Sequence, residues 1–169
     1  MDDDVMRGEI FAAPLLAVGL LPALGGGAGL GTTFRATDVS IALEARMFTS
    51  LADTFAEGVL VHASLAMPAL SVCGHRGLLS VCAVFDAGEL QITSDPGIII
   101  QSRRPWVSSI GLRLGGDWRF SERMALRGFA ELHAHYSRPS VWVNNKETWQ
   151  VPPVSGVVGV GLVLPLGRL

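Results

Sequence analysis

Apolar side chains recur at every second position along much of this chain, with small, polar or charged residues between them. From Trp106 to Trp118, one side carries Trp106, Ile110, Leu112 and Leu114. The other carries Ser109, Gly111, Arg113, Gly115 and Asp117. Residues two apart share a face of a strand, so this period predicts a sheet with one apolar and one charged face. The alternation repeats. Val39, Ile41, Leu43, Ala45 and Met47 oppose Ser40, Ala42, Glu44 and Arg46, and Met124, Leu126, Ala130, Leu132 and Tyr136 oppose Arg127, Glu131, His133 and His135. In the same way Val59, Val61, Ala63 and Leu65 stand against His62 and Ser64, and Leu79, Val81, Ala83 and Phe85 against Ser80 and Asp86.

Strands are predicted near 9–21, 27–36, 38–48, 58–68, 77–90, 105–118, 123–136 and 155–166. Each matches or exceeds the roughly 9–11 residues that a tilted strand needs to cross a bilayer. The first and last are apolar almost throughout and have no assignable face. The fold class expected is all-β, an eight-stranded antiparallel up-and-down transmembrane β-barrel, greasy outside and polar inside. It occupies 9–169 as one domain, after a disordered segment, 1–8. The charged faces collect Arg35, Arg46, Arg113 and Arg127 with Glu44, Asp86, Asp117 and Glu131, four of each sign. An eight-stranded barrel is only wide enough for side chains to fill, so these charges are expected to pair inside it as a network. A soluble lipocalin-like barrel is the rival reading. It would turn its apolar face inward and bind a small hydrophobic ligand.

Composition supports a membrane location. Of 169 residues, 17% are charged, below the roughly 25% of soluble domains, and 20 are glycine. The mean hydropathy is +0.41. A net charge of −2 leaves no basic stripe for nucleic acid. The uncharged run Ile10–Phe34 has the length of a membrane helix, but Pro14, Pro22 and Gly25-Gly26-Gly27 would break one. Two strands joined at Pro22–Gly27 account for it better. The acidic start Asp2-Asp3-Asp4 is unlike a secretory leader, so a signal peptide is expected upstream or a start codon placed too late.

Connection lengths point the same way. The Ser121-Glu122-Arg123 connection is tight, whereas Ile92–Arg104 and Ser137–Val154 are long and fall on the predicted outer side, as outer-membrane barrels arrange them. Interfacial aromatics are then expected at Trp106 and Tyr136 outside and at Phe34 and Trp118 inside. Cys73 and Cys82 flank Gly74-His75-Arg76-Gly77, which reads as a turn, so a disulfide across that hairpin is expected, with free core thiols as the alternative.

In architecture the chain resembles the small OmpA/OmpX-type outer-membrane barrels. Pro68, Leu70, Cys73, His75-Arg76-Gly77, Leu79 and Cys82, then Pro152-Pro153-Val154-Ser155-Gly156 and Gly159-Val160-Gly161-Leu162, resemble an uncharacterised barrel family of Gram-negative bacteria. The resemblance covers roughly the last hundred residues. It implies an outer-membrane location, the barrel fold and the cysteine pair, with outer-membrane lipids and the barrel-assembly machinery as partners. It implies no activity. The C-terminal Leu166-Gly167-Arg168-Leu169 departs from the terminal aromatic residue usual in such barrels.

One constellation carries candidate chemistry. His133, His135 and Ser137 share a face by parity, with Glu131 below and Glu147 in the following loop. His135-Tyr136-Ser137 is similar to the His-x-Ser-Asn run of outer-membrane lipid A deacylases, but Arg138 stands where the Asn belongs. A hydrogen-bonded interior network is the simpler account, and also simpler than a metal held by the two histidines and Glu131. No catalytic residue, cofactor or metal site is assigned. The expected role is non-enzymatic: structural, adhesive through the 137–154 loop, or docking of a partner.

Overall fold

The computed structural model describes residues 7–52, 54–56, 59–94, 100–103, 106–121, 123–143 and 146–168. The segment expected to be disordered, 1–8, lies outside them as far as residue 6. Twelve strands follow one another: β1 (Arg7–Val18), β2 (Gly25–Arg35), β3 (Val39–Ser50), β4 (Thr54–Ala56), β5 (Val59–Arg76), β6 (Leu79–Ser94), β7 (Ile100–Arg103), β8 (Trp106–Ser121), β9 (Met124–Ser137), β10 (Ser140–Val143), β11 (Lys146–Gln150) and β12 (Val154–Arg168). Eight of them close a barrel in the order β3-β2-β1-β12-β9-β8-β6-β5, sealed by β3 pairing with β5. Every neighbouring pair is antiparallel. Closure leaves no strand edge in the wall, which is the condition for a sheet to sit in hydrocarbon.

The apolar face is the outer one. Along β3, Val39, Ile41, Leu43 and Met47 are exposed while Ser40, Glu44 and Arg46 are buried. Ile110, Leu112 and Leu114 stand outside on β8, with Arg113 between them inside. Such an arrangement is inverted for a soluble cup and correct for a bilayer, so the lipocalin-like reading is withdrawn. The uncharged run Ile10–Phe34 forms β1 and β2. No helix among the described residues is long and apolar enough to cross a membrane.

Several boundaries differ from expectation. The first connection is 19–24, and Gly25-Gly26-Gly27 belong to β2 instead of a turn. The lumen explains part of this use of glycine: a Cβ on Gly31, also in β2, would lie 2.4 Å from the Phe11 ring. The Cys73–Cys82 hairpin turns at Gly77 and Leu78, not across 74–77, with Gly77 at φ +63° as tight hairpin turns favour. In β5 the expected faces are exchanged. Ala63 and Leu65 point inward, and His62 stands outside with its Nε2 2.8 Å from the Thr49 hydroxyl.

Ala63 and Leu65 are part of an apolar cap. With Leu15, Ala17, Leu20, Leu21, Phe48 and Val107 among others, they fill the lumen at the end carrying the long connections. Leu20 and Leu21 come from the β1–β2 connection itself and Val151 from the β11–β12 connection. At the lid the lumen is mostly apolar, with Ser50 donating to the Ala63 carbonyl, which is why the parity rule failed at the top of β5. The two long connections are also not structureless. β7 from one and β10–β11 from the other form a separate three-stranded sheet, β11-β10-β7.

The cysteines lie directly opposite in the β5–β6 register and are bonded, with Cα atoms 3.9 Å apart. For a nine-residue separation the bond contributes about 2–3 kcal/mol in the chain-entropy account. Both side chains face the lumen at the end carrying the short turns.

If the exterior belt contacts lipid, a charge there is costly in proportion to depth. Leu43→Arg, near the middle of β3, is expected to destabilise the barrel by about 2–4 kcal/mol, and Val39→Arg, at its end, by about 0–1 kcal/mol. Urea unfolding in phospholipid vesicles measures both, and equal costs would mean that the wall does not span a bilayer.

Candidate functional site

The alternation that turns leucines outward turns a set of ionisable side chains into the lumen. β3 supplies Glu44 and Arg46, β8 supplies Arg113 and Asp117, and β9 supplies Arg127, Glu131 and His133. Register then makes neighbours of opposite charges. Arg113 is paired directly across from Glu131, and Asp117 from Arg127.

Two clusters result. In the central one each arginine meets both glutamates. Arg46 donates from Nη1 to Glu131 Oε2 at 2.8 Å and from Nη2 to Glu44 Oε2 at 2.6 Å. Arg113 donates from Nε to Glu131 Oε1 at 2.6 Å and from Nη2 to Glu44 Oε2 at 2.9 Å. The Arg113 guanidinium also lies 4.5 Å over the Phe129 ring. The network continues through His133, whose Nε2 is 2.7 Å from Glu131 Oε2 and whose Nδ1 is 3.0 Å from Asp86 Oδ2. The imidazole thereby bridges the two carboxylates. The Ser109 hydroxyl donates to Asp86. Arg46, Glu44, Glu131 and Arg113 are all 5% exposed or less, so the cluster is isolated from water.

Nearer the short turns lies the second cluster. Arg127 donates from Nε to Asp117 Oδ1 at 2.7 Å and from Nη2 to Glu9 Oε2 at 2.9 Å. Arg35 lies 3.5 Å from Asp117. All eight residues of the charged set therefore face the lumen, divided between two clusters. One participant escaped the sequence reading: Glu9 sits on the strand that could not be assigned a face. His133, read from the sequence as an interior histidine hydrogen-bonded to Glu131, makes that contact and also reaches Asp86. With both included, the lumen holds four arginines and one histidine beside five carboxylates.

The hydrolase constellation is not assembled. The His135 Nε2 lies 2.7 Å from the Ser155 hydroxyl, and Ser137 donates to the Trp106 carbonyl at 2.7 Å. No group of metal-ligating side chains occurs among the described residues. The aromatics Phe34, Trp106, Trp118 and Tyr136 all stand exposed on the outer wall, the first and third toward the short turns and the others toward the long connections, and Phe120 joins Trp118.

A closed eight-stranded wall, apolar outside and ion-paired inside, is the architecture of a transmembrane β-barrel. Comparison with solved structures gives the same fold. The chain superposes on a major outer membrane protein of Thermus thermophilus with a TM-score of 0.63 at 10% identity, covering 95% of this chain and 99% of that one. Neisserial surface protein A gives 0.56 at 12% identity, with 94% and 96% covered. Ail, the attachment invasion locus protein of Yersinia pestis, gives 0.56 at 10% identity, with 95% and 97% covered. No protein-family model matches the sequence, and no curated protein matches it.

Breaking a buried ion pair leaves its partner charged and unpaired, which costs more than losing one apolar contact. Arg113→Ala is expected to destabilise the barrel by about 3–5 kcal/mol. Leu112→Ala, one residue away on the outer wall, is expected to cost less, because lipid replaces the lost contact. Urea titration of both variants in one detergent provides the comparison, and the reverse order would mean that the clusters do not hold the barrel together.

Proposed function

We propose that this chain is a bacterial outer-membrane barrel that acts through its wall and outer loops, not through its lumen, in a non-enzymatic structural, adhesive or partner-docking role. The observation that carries the reading is the filling of the lumen: two ion-paired clusters, closed toward the long connections by the apolar cap. A solute pathway needs water-filled width, and here side chains occupy the space. The wall supports the location. Its apolar exterior requires lipid, and its short turns and long connections lie at opposite ends, as periplasmic turns and external loops do.

What remains for contact with the surroundings is the sheet formed by β7, β10 and β11 beyond the barrel rim. Strands from two connections pair with one another there, so this surface presents a sheet in place of open loops and suits an adhesive or docking role. Outer-membrane lipids are the constant partner, and the barrel-assembly machinery is expected to insert the chain.

Fractionation of cells expressing the full-length gene product tests the location. The protein is expected in outer membranes, with heat-modifiable migration on gels, and recovery in a detergent-free soluble fraction would overturn the reading. Planar-bilayer recording tests the lumen. The native protein is expected to show no stepwise conductance, and steady open channels would refute the closed interior.

A further inference from the structure

The disulfide is buried once the barrel is closed. Cys73 and Cys82 both point into the lumen, 7% and 2% exposed. Ala69 and Val84 pack beside them. Toward the short turns they are covered by the His75–Ser40 hydrogen bond of 2.8 Å and by the ion pairs of Arg127 and Arg35 with Asp117. The cavity bordering the two cysteines measures about 20 Å³, room for about one water. On either side, the hydrogen-bonded ladders of β5 with β3 and of β6 with β8 close the wall.

We propose that the Cys73–Cys82 bond is made before the barrel closes, so that the open chain is the substrate of a thiol–disulfide exchange reaction that precedes assembly. Exchange proceeds through a mixed disulfide, in which an attacking thiolate reaches a disulfide sulfur of the reagent. One cysteine thiolate displaces one sulfur of the oxidant and forms that mixed disulfide. The second cysteine, as its thiolate, then attacks the first cysteine's sulfur and releases the oxidant as a dithiol. Two protons leave the cysteines and two electrons pass to the oxidant. Neither step fits inside the finished lumen, because the mixed disulfide carries a second molecule into space already filled. Both fit on the isolated hairpin, whose two cysteines are only nine residues apart across a tight turn. The required partner is therefore a disulfide oxidant that recognises extended chain, and the covalently closed β5–β6 hairpin is what the assembly step receives.

The order of events is testable on the purified full chain, independently of where the protein resides. Reduced chain is treated with oxidised glutathione in urea. In parallel, reduced chain is first folded into detergent micelles and then treated. Reduced chain unfolded by heat in dodecyl sulfate controls for shielding by the micelle. Bond formation is read by alkylation and mass. Oxidation in urea and in the heated control is expected to run at least ~1,000-fold faster than in the folded barrel, where only the rare opened molecule reacts. If the reduced chain does not fold at all, closure depends on the bond and the order is the same. Oxidation of the folded barrel within about tenfold of the unfolded rate would overturn the proposal, since the bond could then follow closure.

Discussion

Glu131 is the point on which the interior depends. Its carboxylate lies within hydrogen-bond distance of Arg46, Arg113 and His133, so three strands, β3, β8 and β9, meet at one buried anion. Charge in a dry lumen is tolerable only when fully paired, and removing one member strands the others. The same condition selects the register. Sliding β9 by one residue would send Arg127, Glu131 and His133 into lipid and bring Leu126, Ala130 and Leu132 inside. Apolar burial alone specifies which face of a strand points outward. The ion pairs specify which residue of β9 meets which residue of β8.

The lumen is organised along its axis. An apolar cap lies under the long connections, the central cluster beneath it, and the second cluster with the disulfide toward the short turns. The cap explains how a buried charge cluster persists in a barrel whose outer end faces solution: Leu20, Leu21 and Val151 fold over it from the connections and keep water away. The interior is thereby a structural element. The same fold in barrels at 10–12% identity reflects a wall that needs a pattern more than particular residues.

The wall was legible because a membrane barrel writes itself into the sequence with period two. The alternation at Val39–Met47 and Trp106–Trp118 needs no knowledge of neighbours, and it located eight strands to within a few residues at most ends. The inward direction of Glu44, Arg46, Arg113 and Glu131 followed from parity alone. Parity failed where both faces are apolar: β1 gave no signal, so Glu9 went unassigned. At the top of β5 the lid reversed the meaning of the pattern, because Ala63 and Leu65 are buried by loops and not by lipid.

Pairing between distant segments belongs to the tertiary structure. The sheet of β7, β10 and β11 joins residues some forty positions apart in short strands whose local pattern is too brief to detect. His135 bonds Ser155 and not Ser137, because β12 lies beside β9 and the strand geometry separates residues only two apart along one face. Sequence by itself determined the closed, antiparallel, outward-apolar wall, since hydrocarbon outside and a narrow lumen inside constrain every strand in the same local way. Which charges meet, what caps the lumen and how the outer loops brace each other were decided only when the barrel closed, because those contacts depend on register and shear around the whole ring.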